Sequence, residues 1–323
     1  MKNNSVVYSQ NFLRDKSLVF DLVKRFGIKP DDIVYEIGAG QGIITDVLIN
    51  NSKKVVAFEI DKDLYSKLLV KFNLNKKLDL RFGDFLTTSL PETPFKVFSN
   101  IPFNITADVI RKLTQATDPP DETYLIVQEE AVRKFVGRPY DEKNSQVSIL
   151  LKPWFDLDVV YKFRRDDFVP RPRVDTVLLS ICKLVNPLID ISKKGDYYDF
   201  IVYTFNQFKP NIIDGLSGVF GRNVMLNLAK KYDFSTNAKP SQLEVKQWVG
   251  IFEHYLKNVF NNKLVRGSYS KLLLQQSKLE KINRTRVDKN WRQQVVTKNR
   301  NTFFQQKVKN NQSPTSDKSN YRK

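Results

Sequence analysis

The chain has 323 residues, 41% of them hydrophobic, enough to build a full domain core and a second, smaller unit, and no run of 18 apolar residues marks a membrane span. Its one cysteine, Cys182, and one histidine, His254, exclude a disulfide framework, a zinc site and histidine-dependent catalysis. The net charge is +18, and residues 261–323 hold 16 Lys and Arg against 3 Asp and Glu, so +13 lies in that stretch and +5 in residues 1–260.

Residues 1–8 are too short and polar for a secretory leader, so a soluble, cytoplasmic protein is expected. Ile33-Val34-Tyr35-Glu36-Ile37 reads as a buried strand, Gly38-Ala39-Gly40-Gln41-Gly42 as a turn and residues 43–50 as a helix. The three glycines let the backbone pass close to a ligand, and the helix that follows offers free N–H groups. A second strand over 54–60 carries Glu59, 19 residues past Gly40, where a carboxylate accepts hydrogen bonds from ribose hydroxyls. Together these features point to a nucleotide or nucleoside cofactor without choosing one.

A third strand over 78–82 precedes Gly83-Asp84. Asp84 puts an acceptor where the adenine amino group of S-adenosylmethionine would lie, although a surface turn explains the dipeptide equally well by itself. A fourth strand over 95–99 ends at Asn100-Ile101-Pro102-Phe103, which sets an amide carbonyl, a rigid turn and an aromatic face side by side, equipment for holding an exocyclic amine against an electrophile. A fifth strand covers 124–128. Strands alternating with helices imply a doubly wound, mostly parallel α/β sheet. Cys182 ends the apolar run Val177-Leu178-Leu179-Ser180-Ile181 and reads as a buried thiol.

A polar link over 186–196 leads to helical patterns over 197–260, with Phe200, Val202, Tyr203, Phe205, Leu226, Leu228, Trp248, Phe252, Tyr255 and Leu256 as inner faces of a small bundle, and His254 as an ordinary helix residue. Three zones follow: a cofactor domain over 1–185, a helical domain over 196–260 and a basic, disordered tail over 261–323. The tail reads either as a nucleic-acid-binding arm, part of it becoming helical on RNA or on the body, or as a solvated end.

Six motifs occur in order: Gln10-Asn11-Phe12-Leu13, Glu36-Ile37-Gly38-Ala39-Gly40-Gln41-Gly42, Glu59-Ile60-Asp61, Gly83-Asp84-Phe85, Ser99-Asn100-Ile101-Pro102-Phe103-Asn104 and Phe168-Val169-Pro170-Arg171-Pro172-Arg173-Val174-Asp175. Over residues 5–260 the chain resembles the rRNA adenine N6-dimethyltransferases, and within them the Erm type, which confers macrolide, lincosamide and streptogramin B resistance. The resemblance implies a Rossmann-like methyltransferase domain, S-adenosyl-L-methionine as cofactor, 23S rRNA as partner and a helical RNA-binding domain. It implies Asn11, Leu13 and the Gly38 backbone at the methionine end of the cofactor, with Gly40 among its binding residues. Glu59 would hold the ribose, Ile60 and Phe85 would lie against or near the adenine, Asp84 would bond its amine, and Asn100 would stand between cofactor and substrate.

The substrate adenine would be held by Asn100, Ile101, Pro102 and Phe103, with Phe168 as a candidate opposite wall whose alternative is a core aromatic. Arg111, Lys112, Arg133, Lys134, Arg138, Arg164, Arg165, Arg171 and Arg173 are candidate phosphate contacts around the site. A monomer with neither metal nor membrane partner is expected. Two other functions stay open: the housekeeping enzyme that dimethylates two adjacent adenines of 16S rRNA, which usually has Leu where this chain has Ile101 and Tyr where it has Phe103, and a non-catalytic RNA-binding factor.

Overall fold

The computed structural model describes residues 11–73, 75–260 and 262–278; Gln10 of the first motif and the tail from residue 279 onward lie outside the described residues. The strands are β1 (Phe12–Leu13), β2 (Ile33–Ile37), β3 (Lys54–Glu59), β4 (Leu78–Phe82), β5 (Lys96–Asn100), β6 (Glu122–Gln128), β7 (Phe155–Lys162), β8 (Phe168–Val169) and β9 (Thr176–Lys183). Seven form one sheet in the order β4-β3-β2-β5-β6-β9-β7, and β1 pairs with β8 in a separate ribbon. The first five strands of the sheet are mutually parallel, while β9 runs antiparallel to both β6 and β7.

The helices of the sheet region are α1 (Lys16–Arg25), α2 (Ile43–Asn51), α3 (Lys62–Lys71), α4 (Thr106–Gln115), α5 (Glu129–Val136) and α6 (Gln146–Leu151). Alternating strand residues face opposite ways. Val34, Val55, Ala57, Phe98 and Ile126 pack with Val19, Leu22, Val47, Leu48 and Leu68 of α1, α2 and α3. On the other face Tyr35, Val56, Phe58, Val97 and Leu125 pack with Val109, Ile110 and Leu113 of α4 and with Val132 and Phe135 of α5. This is the doubly wound sheet expected from the alternation of elements.

Five further helices follow: α7 (Lys194–Phe205), α8 (Ile212–Phe220), α9 (Arg222–Lys231), α10 (Val245–Asn258) and α11 (Ser268–Ser277). Most of the anticipated inner faces are buried, with Phe200, Trp248 and Phe252 fully so; Leu226 instead lies on the exposed side of α9. No separate core begins after the 186–196 link, because one apolar cluster runs from the sheet into these helices. Trp154 packs edge-on against Tyr197 and Tyr198, and the Tyr197 hydroxyl donates to the Ile149 carbonyl at 3.1 Å. The described residues fall within one compact unit that ends at Lys278. The first residues of the anticipated tail thus include a folded helix, α11, packed on the body, the helical state that the sequence offered for part of this otherwise disordered-looking stretch. Cys182 is half-buried rather than buried, with its Sγ 3.3 Å from the Ser180 hydroxyl. No helix among the described residues is long and apolar enough to cross a membrane.

Candidate active site

Strand order reverses between β2 and β5, and in an open α/β sheet that reversal leaves a crevice beyond the carboxyl ends of the two strands. Paired positions between them run from Val34↔Lys96 to Tyr35↔Val97 and stop. Beyond that point the Ser99 hydroxyl bridges the gap, accepting from the Ile37 N–H at 3.0 Å and donating to the Ile37 carbonyl at 2.5 Å. The side chain satisfies backbone groups that would otherwise be orphaned where the strands part. A cavity of about 150 Å³ opens there.

Its floor is the glycine turn. Gly38 and Gly40 adopt φ of +78° and +57°, which L side chains rarely accept. A Cβ on Gly40 would lie 2.8 Å from the Phe12 ring, so that ring can close over the turn only because the residue is glycine. The turn is pinned by Glu59, whose Oε2 accepts from the Gly40 N–H at 2.8 Å and whose Oε1 accepts from the N–H groups of Ile60 and Asp61, each at 2.9 Å. Lys71 supports it from α3 by donating to the Gln41 and Gly42 carbonyls at 3.0 and 3.2 Å.

Along one side of the cavity lie Ile60, 48% exposed, and Asp84, whose Oδ1 accepts from the Leu86 N–H at 2.9 Å and so starts a short 3-10 turn. Opposite them β5 delivers Asn100, Ile101, Pro102 and Phe103, with a second 3-10 turn over Phe103–Ile105. The Asn100 Nδ2 donates to the Asn11 carbonyl at 2.7 Å, which orients the carboxamide and leaves Oδ1 as its acceptor end. Asn11 is held in turn because β1 pairs with β8 through Phe12↔Val169 and Leu13↔Phe168. A segment at the start of the described chain is thereby tied across the mouth of a site built almost 90 residues later.

Asn11, Leu13, Gly38, Gly40, Glu59, Ile60, Asp84, Asn100, Ile101, Pro102 and Phe103 all border this one cavity, as anticipated. Two aromatic assignments are corrected. Phe168 is 1% exposed and packs edge-on against Phe163 at 5.4 Å, so it is a core aromatic beneath the β1–β8 ribbon and not a pocket wall. Phe85 is 3% exposed and buried edge-on against Phe58, since the turn begun by Asp84 carries its ring into the core instead of toward the cavity. Lys112 is likewise removed from the candidate phosphate contacts, because its ammonium donates to the Leu86 and Thr88 carbonyls over the Phe85 ring. Of the eight arginines and lysines that remain, Arg138 is half-buried and the other seven are exposed; Arg164 pairs with the buried Asp167, and Arg111, Arg133, Arg138, Arg165 and Arg171 form ion pairs at the surface. Such pairs contribute about 0–1 kcal/mol and yield readily to a phosphate.

Phe12 and Glu36 also border the cavity and had no assigned role. Glu36 is 1% exposed and accepts from the Thr45 hydroxyl at 2.6 Å. Burial pushes its pKa up to about 8, the negative charge of Glu59 adds to the rise, and the Thr45 hydrogen bond and Lys71 oppose it. The signal was a carboxylate inside an apolar strand immediately before the glycine turn, a costly placement unless the charge meets a partner.

Glu36, Glu59 and Asp84 line the cavity, and among the described residues its lining holds no Lys or Arg. In a chain of net charge +18 this is a local acidic patch. It repels the pyrophosphate of a dinucleotide and suits a cationic ligand. Carboxylates at the ends of two neighbouring strands, an exposed Ile60 between them and bare glycine backbone fit the adenosine and charged sulfonium of S-adenosylmethionine.

Sheet order, cleft and acidic lining define a Rossmann-like methyltransferase. Residues 1–257 match the family model described as ribosomal RNA adenine dimethylase, and the chain belongs to that family. It is 30% identical over 256 residues to Ribosomal RNA small subunit methyltransferase A of Mycoplasmopsis synoviae (strain 53), covering 78% of this chain and 97% of that protein. With an rRNA adenine N-6-methyltransferase of Bacteroides fragilis it shares 29% identity over 251 residues, 77% and 93% of the two chains. The solved structure of 23S rRNA methyltransferase ErmE superposes with a TM-score of 0.69 at 26% identity, covering 75% of this chain and 98% of that one. A dimethyladenosine transferase from Plasmodium falciparum shares the fold, with a TM-score of 0.64 at 19% identity and coverage of 76% and 98%. The chain is an rRNA adenine N6-methyltransferase.

Proposed function

We propose that the chain dimethylates N6 of a single adenine in the peptidyl-transferase region of 23S rRNA and so gives macrolide, lincosamide and streptogramin B resistance. The observation that carries the chemistry is the oriented carboxamide of Asn100, its amine end held by the Asn11 carbonyl and its Oδ1 left as an acceptor beside Ile101, Pro102 and Phe103. S-adenosylmethionine, when bound, supplies a methyl group already activated by the positive sulfur. The protein's part is to hold and orient.

Glu59 and Asp84 would bind the ribose hydroxyls and the adenine amine of the cofactor, with Ile60 against its ring, Asn11, Leu13 and Gly38 at its methionine end, and the Gly40 backbone close by in the same turn. An adenine N6 amine is a weak nucleophile because its lone pair is delocalised into the ring. The Asn100 side-chain carbonyl and the Ile101 backbone carbonyl would accept hydrogen bonds from the N6 hydrogens, drawing the nitrogen toward a tetrahedral geometry and stabilising the charge that develops on it until one proton is lost to solvent; the cofactor leaves as S-adenosylhomocysteine. Phe103, half-buried, stacks on the base. Extruding that base from folded RNA costs a few kcal/mol, which the stacking partly offsets.

The choice of 23S rRNA rests on Ile101 and Phe103, where the housekeeping enzymes usually have Leu and Tyr, and on the likeness to ErmE. A second reading, dimethylation of two adjacent adenines in 16S rRNA, is favoured by the name of the Mycoplasmopsis synoviae relative. Purified protein, labelled S-adenosylmethionine and either protein-free 23S rRNA or small ribosomal subunits decide between them once the methylated base is mapped. Label on one 23S adenine is expected. Label on paired 16S adenines would make this the housekeeping enzyme.

A further inference from the structure

The turn that presents Asp84 lies at the rim of the sheet. It follows β4, the outermost strand, through Gly83, whose φ of +144° favours glycine. Phe85–Thr87 then make a single 3-10 turn, with the Thr87 N–H donating to the Asp84 carbonyl at 3.1 Å and the Thr88 N–H to the Phe85 carbonyl at 3.2 Å. A turn this short leaves its last carbonyls to be satisfied by other elements. Lys112 of α4 does so: its Nζ donates to the Leu86 carbonyl at 3.0 Å and to the Thr88 carbonyl, and stands 5.2 Å from the centre of the Phe85 ring. Burial lowers the Lys112 pKa and the negative charge of Asp84 opposes the fall, so the ammonium and the carboxylate interact across the turn.

The helix that carries Lys112 begins at the substrate corner. The hydroxyl of Thr106, its first residue, donates to the Phe103 carbonyl at 3.0 Å, and Val109, Ile110 and Leu113 are buried in the core under the sheet. Lys112 therefore braces the rim turn against a helix fixed at both the corner and the core. We propose that Lys112 is a positioning residue, which holds the 84–88 turn so that the Asp84 carboxylate is aimed at the adenine amine of the cofactor and thereby sets the preference for a 6-aminopurine. The inference rests on the reading of Asp84 as the acceptor for that amine. An acceptor rejects a ligand without the matching donor only while it is kept from swinging away to water. Lysine suits the task, since a flexible stem with three rotatable donors can meet two carbonyls and a ring face at once.

The test is calorimetric binding of two ligands to the full-length protein: S-adenosylhomocysteine, and the same molecule with hydrogen in place of the adenine 6-amino group. A hydrogen bond to a held carboxylate gives the parent a preference of roughly 10–100-fold for the amino ligand. Lys112→Met, which keeps the stem and loses the donors, is expected to cut that preference by about fivefold or more through weaker binding of the amino ligand, with the deamino ligand within about twofold of the parent. In turnover the same variant should raise KM for S-adenosylmethionine and keep kcat at saturating cofactor within about threefold of the parent. Lys112→Gln, a neutral donor on a shorter stem, is expected to lose preference in the same direction to a smaller degree, and serves if the methionine variant fails to fold. Asp84→Ala should abolish the preference. Parental preference in the folded Lys112 variants, or an equal loss of affinity for both ligands, would overturn the inference while the effect of Asp84→Ala leaves the reading of Asp84 standing. Parental preference in Asp84→Ala would remove that reading and the inference with it.

Discussion

Asn100 is the residue whose loss should separate chemistry from binding. Its Nδ2 is engaged with the Asn11 carbonyl at 2.7 Å, so Asn100→Ala removes both the acceptor facing the substrate and the tie that holds the segment over the cavity. One preorganised acceptor in a desolvated site is worth about 2.7–4 kcal/mol, or roughly 10²–10³ in kcat. The lost hydrogen bond adds about 1 kcal/mol of loosening around Asn11, felt in cofactor affinity. Asn100→Asp keeps acceptors toward the substrate but cannot donate to Asn11, and should fall between the parent and the alanine variant. Single-turnover transfer of labelled methyl to an rRNA fragment reads the first effect, and calorimetric binding of S-adenosylmethionine reads the second. An alanine variant whose single-turnover rate stays within about threefold of the parent, with the fold intact by thermal melting, would refute the assignment of the carboxamide as the N6 acceptor.

Glu36, with its pKa raised to about 8, is roughly nine-tenths protonated at pH 7, so a cation entering the acidic cavity should expel close to one proton. Calorimetry in buffers of different ionisation enthalpy measures that release, and Glu36→Gln should abolish it. In the folded protein Glu36 keeps a proton that the unfolded chain gives up near 4.5, so its contribution to stability declines as pH rises from about 4.5 to 8; Glu36→Gln should flatten that limb of a melting-temperature profile. Gly40→Ala combines a Cβ 2.8 Å from the Phe12 ring with a φ of +57°, and is expected to cost about 1–3 kcal/mol in chemical denaturation and to weaken cofactor binding more than RNA binding. Phe168→Leu should lower stability by about 1–2 kcal/mol while leaving KM for RNA unchanged; a raised KM in fully folded protein would return Phe168 to the pocket wall.

The five parallel strands and the glycine turn were legible because short apolar runs bounded by Gly, Asp and Pro announce themselves locally. The antiparallel pair β7 and β9 was overlooked although Phe155, Leu157 and Val159 alternate with Asp156 and Asp158; an irregularity between Val159 and Tyr161 breaks the repeat partway along β7. For Phe168 and Phe85 the sequence supplied a motif but not a direction. Whether an aromatic near a strand end faces ligand or core depends on how the ribbon or turn carrying it is rotated, and that follows from partners distant in the chain.

The sequence by itself determined the class of sheet, the glycine turn after the first strand of that sheet, the Asn100-Ile101-Pro102-Phe103 corner and the place where the positive charge accumulates, since each is written in contiguous residues whose chemistry is local. Tertiary structure alone decided that Asn11 orients Asn100, that Phe12 closes over Gly40, that Glu36 joins Glu59 and Asp84 in one acidic cavity, and that Asp199 seats the root of the basic segment. The first three bring together residues 20 to 90 positions apart around the crevice between β2 and β5, and they exist only once the sheet has set its strand order; the last joins two helices that are distant in the chain.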